Sequence, residues 1–302
     1  MDLFFTSTVG VRSLPDRAVL RVVGPDARSW LQGQVTNDVV GVGPDEAVYA
    51  LVVNVRGKIL ADVHVVAGPD DLRVTIPRDR AEALIEHLEA YLVMEDVDLE
   101  LTDEAVLTAQ GPRARDAVER AGLLGRAYRA DRLGIPGLDV RLPAAEAEAA
   151  RARLEDAARA LGGGPVDDGA WADAHLRRGR PRFAVDFGER SYPQEAGLRD
   201  LAVSFSKGCY LGQEVVCTLE NRGQLVRRLM IVEGPGPIPA GTELTADGKA
   251  VGRVTGDGRP LEPTDRTRAF AYVKRARAEA GATVEAGERT LRVVGPAGAP
   301  LD

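Results

Sequence analysis

The segment Lys207-Gly208-Cys209-Tyr210-Leu211-Gly212-Gln213-Glu214 sets a thiol two residues from an ammonium and between two glycines. A cation near a cysteine favours thiolate, the form that attacks electrophiles and ligates metals. Gly208 and Gly212 tolerate positive φ, so a tight turn displaying Cys209, Tyr210 and Gln213 outward is expected. The plainer reading is a turn that half-buries a cysteine. Cys217 is the second of two cysteines. Two make no disulfide framework and are too few for the four ligands an iron–sulfur cluster ordinarily takes.

Asp62 and His64 form a second locus, on a strand expected over 58–66. Alternation puts Leu60, Asp62, His64 and Val66 on one face and the apolar Ile59, Ala61, Val63 and Val65 on the other. Under a ligand cavity, Asp62 would accept a proton or hold an amine. On an open antiparallel sheet the same face is simply solvated. A third stretch runs from Arg182-Phe183-Ala184-Val185-Asp186-Phe187 to Tyr192-Pro193-Gln194-Glu195-Ala196-Gly197-Leu198. Its aromatic and acidic groups are of the kind that sandwich a flat heterocycle and accept its N–H hydrogens, although composition alone makes it a loop. His87, among charged neighbours on a helix face, is expected to be solvated, and His175, in a helix with Trp171, to be structural.

Three scattered histidines and two cysteines show no metal-ligand spacing. Neither a Walker loop, nor G-x-G-x-x-G after a strand, nor a G-x-S-x-G elbow occurs, so phosphoryl transfer, hydride transfer and hydrolase chemistry lack support.

The elements that must position these groups fall into two textures. Runs at 18–23, 47–53, 58–66, 71–76 and 97–101 read as strands, with a hairpin turn at Asn54-Val55-Arg56-Gly57. Asp26 suits the N-cap of a helix through Trp30 and Leu31, and Asp79-x-x-Glu82 has capping-box spacing before a helix bearing Leu84, Ile85, Leu88, Tyr91 and Leu92. The theme returns with strands at 105–109 and 137–142 and helices at 113–121 and 144–161. This order predicts antiparallel α+β units and not a parallel sheet. From about 225 the runs shorten and glycine punctuates them, as in a small β-barrel, with Gly234-Pro235-Gly236-Pro237 as a rigid turn.

At 302 residues, 44% hydrophobic and 28% charged, the chain is expected to be globular with two or three domains. A net charge of −7 argues against stable nucleic-acid binding. No run approaches the roughly 20 apolar residues of a membrane span, and the N-terminus lacks a leader pattern, so the expected location is cytoplasmic.

In their order these pieces resemble the folate-binding superfamily of the glycine-cleavage T-protein, and most closely its YgfZ-type branch of iron–sulfur cluster maturation factors. The resemblance covers nearly the whole chain. Its markers are Leu31-Gln32-Gly33-Gln34-Val35-Thr36-Asn37-Asp38, the hairpin from Asn54 through Gly57-Lys58-Ile59-Leu60-Ala61-Asp62, Gln110-Gly111-Pro112, Pro193 to Leu198, and Arg222-Gly223 with Arg227-Arg228-Leu229. The K-G-C-Y-x-G-Q-E motif at 207–214 selects the branch. Cys217-Thr218-Leu219-Glu220 departs from the usual continuation, and Asp62 is a T-protein-like feature.

The resemblance implies two ferredoxin-like α+β units and a C-terminal barrel, divided as 1–103, 104–222 and 223–302 and arranged as a three-domain ring around a folate channel. It implies tetrahydrofolate or a folate derivative as cofactor. Glu195, Asn54, Lys207, Tyr210, Gln213 and Arg228 would hold it, with Glu195 on the pterin, and Arg222, Arg227 and Arg228 are candidates for the glutamate tail. Cys209 and Asp62 are the implied reactive groups. Two functions stay open: an accessory factor for iron–sulfur cluster assembly or repair working through Cys209, with client proteins or assembly machinery as partners, and a folate-dependent aminomethyltransferase or demethylase using Asp62.

Overall fold

The computed structural model describes residues 3–221, 225–262 and 264–299. Arg222 and Gly223 lie outside the described residues. The chain divides into two compact units. The first is Met1–Val53, Leu60–Ala174 and Ser204–Leu211, and the second is Asn54–Ile59, His175–Val203 and Gly212–Asp302.

The first unit is built on two five-stranded sheets. One runs in the order Val48–Val53, Ile59–Ala67, Asp71–Pro77, Arg17–Val23, Asp98–Leu101. Helices Ala27–Gln34 and Ala81–Glu89 cover one face of it, where Trp30, Leu31, Leu84 and Leu88 pack with Ala61, Val63 and Val65. The apolar side of the alternating strand is therefore the core side, as its pattern predicts. The other sheet runs Gly164–Pro165, Gly10–Ser13, Glu104–Gln110, Gly137–Pro143, Ala127–Arg129, under helices Ala114–Arg120 and Ala147–Ala160. The short strand Gly10–Ser13 thus leaves its sequence neighbours and joins the second sheet.

The face carrying Asp62 and His64 is not solvated. Val66 packs with Tyr128 and Ala130, and Val19 packs with Leu14 and Val106, so strands of the second sheet cover it. The expected capping box also fails. A one-turn 3-10 segment, Arg78–Arg80, leads into the helix, Arg80 takes the N-cap position, and no side chain caps it. Asp79 already lies inside the coil and cannot serve as a cap. Asp26 does occupy its N-cap position, but its carboxylate accepts from Asp96 N at 3.0 Å instead of capping the helix.

The second unit holds a closed barrel. Its strands run Arg227–Pro235, Arg289–Pro296, Thr283–Ala286, Glu243–Ala246, Lys249–Val254 and Arg266–Lys274, which pairs back to Arg227–Pro235. Met230 and Val232 point inward with Val254, Ala271, Val273 and Leu291. The alternate residues Leu229 and Ile231 point outward against Leu176, Phe270 and Ala297. The expected turn at 234–237 begins later than anticipated, because the strand runs on through Pro235 and the positive φ falls on Gly236.

Candidate functional site

The thiol segment is fastened to the end of a helix. Ser204 N donates to Thr36 O and Leu211 N to Gly33 O, each at 3.0 Å. Between them, Lys207 Nζ donates to the carbonyls of Gln32 and Val35 at 2.6 Å and of Asn37 at 2.9 Å. Helix ends leave carbonyls unpaired, and a cation there complements the dipole. Burial pulls the Lys207 ammonium down to about 8, with Asp38 opposing that shift. The sequence suggested an ammonium serving the thiol, but three main-chain carbonyls take its three donors. Cys209 is exposed. Tyr210 does not project outward: it is buried, its ring centroid 5.2 Å from Lys207 Nζ. Of the two glycines only Gly212 has a positive φ, and Gln213 opens the helix Gln213–Asn221.

Asp62 is 5% exposed and lies within an ionic network. Arg17 Nη1 donates to Oδ1 at 2.6 Å and Nη2 to Oδ2 at 3.2 Å, while the Tyr49 hydroxyl donates to Oδ2 at 3.4 Å. Tyr49 in turn lies against the His64 ring, centroids 4.8 Å apart. Burial, then Arg132 and Arg17, hold His64 well below its ordinary range, and its Nδ1 has no hydrogen-bond partner among the described residues. Burial and Asp62 push the Tyr49 hydroxyl well above its own. Deeper still, Arg132 and the fully buried Asp139 form an ion pair at 2.6 Å. The strand alternation correctly joined Asp62 and His64, but neither the Arg17 clamp nor the covering sheet was foreseeable from it.

Glu195, also 5% exposed, organises the second unit's polar cluster. Oε2 takes Tyr192 N at 3.4 Å, Arg227 Nε at 3.5 Å and Lys58 Nζ at 3.9 Å. Lys58 Nζ stands 3.2 Å above the Tyr192 ring, and the Arg227 guanidinium 4.2 Å above that of Tyr272. Burial draws the Lys58 ammonium down, with Arg227 acting in the same sense and Glu195 against it. The Tyr272 hydroxyl, pushed up to about 12 by burial, shares a 2.7 Å hydrogen bond with Ser191 Oγ. The result is a carboxylate flanked by two loosely held cations, each over an aromatic face.

Asn54, expected to hold cofactor, accepts from Arg56 N at 2.9 Å and Lys58 N at 3.1 Å through Oδ1, so its amide shapes the hairpin turn. Arg227 and Arg228 diverge, as adjacent strand residues must. Arg227 turns toward Glu195, and Arg228 keeps the parity of Met230 and Val232. His87 is half-buried, edge-on to Tyr91 with centroids 5.3 Å apart, and its pKa is lowered by burial, so the expectation of a solvated ring does not hold. His175 Nδ1 lies 3.0 Å from Arg180 O, in keeping with a structural role. The part played by Lys58 and Tyr272 was not visible in the sequence, because their partners lie far along the chain. Among the described residues no group of three or more His, Cys, Asp or Glu side chains is placed to hold a metal ion, and no helix is long and apolar enough to cross a membrane.

Residues 6–124 match the GCVT N-terminal domain, and residues 227–301 match the CAF17 C-terminal beta-barrel domain. The tRNA-modifying protein YgfZ of Aliivibrio fischeri is 25% identical over 231 residues, covering 74% of this chain and 71% of the relative. The mitochondrial iron–sulfur cluster assembly factor IBA57 of Homo sapiens is 32% identical over 265 residues, covering 80% and 72%. The chain belongs to the YgfZ/IBA57 family. In fold, this YgfZ/IBA57-family chain is similar to the glycine cleavage system aminomethyltransferase T of Bartonella henselae, with a TM-score of 0.85 at 20% identity, covering 99% of this chain and 90% of the other.

Proposed function

We propose that this chain binds tetrahydrofolate, or a folate derivative, through Glu195 and serves iron–sulfur cluster assembly or repair with Cys209 as its working thiol. The observation that carries the ligand reading is a carboxylate only 5% exposed, flanked by the cations of Lys58 and Arg227 that lie over the Tyr192 and Tyr272 rings. A reduced pterin presents ring and exocyclic N–H donors side by side in one plane, which a single carboxylate accepts as it accepts a guanidinium fork. Tyr192 and Tyr272 supply flat apolar surface nearby.

The cluster role is supported by the 32% identical Homo sapiens relative, named an assembly factor. It is supported also by the exposed Cys209, carried on a segment fastened at both ends. Client proteins or assembly machinery would be the partners. The aminomethyltransferase reading has less support, because both oxygens of Asp62 already accept from Arg17.

Calorimetric titration of tetrahydrofolate into wild type, Glu195→Gln and Cys209→Ala tests the ligand. Wild type and Cys209→Ala should bind alike, and Glu195→Gln should lose about tenfold or more, the scale of a charged hydrogen bond. Absence of binding by a folded wild type would overturn the reading. In cells lacking the native protein, Cys209→Ala should fail to restore iron–sulfur enzyme activity, and full restoration would remove the thiol from the proposal.

A further inference from the structure

The second unit has a cavity of about 430 Å³ at the open end of the barrel, where the strand ends bearing Arg228 and Pro296 meet Arg275. Its lining is chemically divided. Leu219, Leu225 and Leu229 give it an apolar wall, while Arg199, Arg228 and Arg275 bring guanidinium groups to it. Arg199 is neutralised by Glu220 at 2.5 Å and by Asp200. Arg228 and Arg275 have no ion pair or side-chain hydrogen bond among the described residues. Both are exposed, so their donors are available to a ligand.

Arg228 stands opposite Val273 in the ladder. Arg275 follows the end of that neighbouring strand, in the one-turn segment Arg275–Arg277, and its main-chain N–H donates to Val226 O at 3.0 Å, which holds it beside the start of the strand bearing Arg228. Val273 belongs to the barrel interior, so Arg228 sits at the barrel's rim on that side. Arg227 faces the other way, toward Glu195. Although Glu195 also contributes to the lining, its Oε2 contacts go to Lys58, Arg227 and Tyr192, none of which lines this cavity.

We propose that this cavity is a second ligand site, built on Arg228 and Arg275 and not on Lys58 and Arg227, that takes the phosphate monoester of a small apolar body. Two planar forks offer paired donors in fixed geometry. A carboxylate has two oxygens and satisfies one fork. A phosphate monoester dianion has three peripheral oxygens and a second charge, so it can bridge both. The leucine wall then receives the organic part of the ester. The inference uses no property of folate and stands whether or not folate binds.

Calorimetry at low ionic strength with phenyl phosphate, inorganic phosphate and benzoate tests it. Phenyl phosphate should bind best, roughly fivefold or more above inorganic phosphate through its buried ring. Benzoate should bind more weakly than phenyl phosphate. Arg275→Gln should weaken phenyl phosphate by about tenfold or more while leaving tetrahydrofolate binding unchanged. Leu219→Ala should narrow the advantage of phenyl phosphate over inorganic phosphate. Lys58→Met should leave phenyl phosphate binding intact, because Lys58 does not line this cavity.

No heat from phenyl phosphate, or undiminished affinity in Arg275→Gln, would overturn the proposal. Loss of phenyl phosphate binding in Lys58→Met would overturn it too, since the anion would then sit with Lys58 and Arg227. Failure of tetrahydrofolate binding alone would leave this site standing.

Discussion

Arg17 and Asp62 meet in a two-point ion pair inside the first unit, with the arginine side chain 13% and the aspartate side chain 7% exposed. Removing one partner leaves the other charge buried and uncompensated, whereas replacing both with apolar groups removes the desolvation cost as well. Asp62→Asn should therefore destabilise the protein by about 3 kcal/mol, and the double variant Arg17→Met, Asp62→Leu should regain most of it. Urea unfolding of the three proteins decides this. A stable Asp62→Asn protein that has lost activity would instead give Asp62 a chemical role.

His64 predicts a pH dependence. Its folded pKa lies well below the ordinary 6.5, with burial the largest cause and the cations Arg132 and Arg17 next. Above about 6.5 the ring is neutral in both folded and unfolded chains. As pH falls below that, the unfolded chain takes up a proton that the folded one refuses, so stability drops by up to about 1.4 kcal/mol per pH unit. His64→Phe, which preserves a ring beside Tyr49, should flatten the slope below about pH 6.5. Equal slopes in variant and wild type would mean the imidazole is not held neutral.

Lys207→Met should loosen the Cys209 segment. The three carbonyls of Gln32, Val35 and Asn37 lose their shared donor, a loss on the order of 1.5–3 kcal/mol for charged hydrogen bonds. Amide exchange at Ser204 and Leu211, which donate to Thr36 O and Gly33 O, should speed up by about tenfold or more. Lys207→Arg should not restore protection, because a planar fork cannot converge on three carbonyls as an ammonium does. Unchanged exchange in Lys207→Met would return the lysine to the role of a charge beside the thiol.

Gly298 carries a steric prediction. Its φ is +87°, and a Cβ there would stand 1.9 Å from the Gly197 carbonyl oxygen. Two backbones cross at that point too closely for any side chain. Gly298→Ala should cost about 2 kcal/mol or more in thermal or urea unfolding, well beyond the effect of an ordinary surface alanine.

Much of the secondary structure was legible because it is strongly periodic. Asp71–Pro77 alternates in sequence, Arg17–Val23 and Glu104–Gln110 are short apolar runs bounded by polar residues, and the barrel strands are separated by glycine-rich turns. Gly10–Ser13 and Ala127–Arg129 escaped notice because four and three residues are too few to show a period. The helix Gln213–Asn221 is hidden in the sequence, since the two glycines leading into it point to a turn over 207–214.

At the candidate sites, residue types were informative and orientations were not. Lys207 is two residues from Cys209 in sequence, yet a long flexible stem carries its ammonium to a helix end. Glu195 stood out only through its motif, and the cations around it are supplied by Lys58 and Arg227, which no local spacing connects. The polar face of Asp62 and His64 was correctly drawn, but its burial depends on a second sheet that strand alternation says nothing about.

Barrel closure has a consequence for the order of events during synthesis. The strand Arg227–Pro235 pairs with Arg266–Lys274 and Arg289–Pro296, so these ladders must wait while the intervening chain emerges. Chains fold from the N-terminus as they are made, and long-range β pairing comes late. Lys58 and Glu195 are therefore translated well before Arg227 and Tyr272 can be held beside them. From the synthesis of Glu195 until the barrel closes, the nascent protein carries an unfinished site, and a chain truncated within the barrel would present that carboxylate without its full set of neighbours.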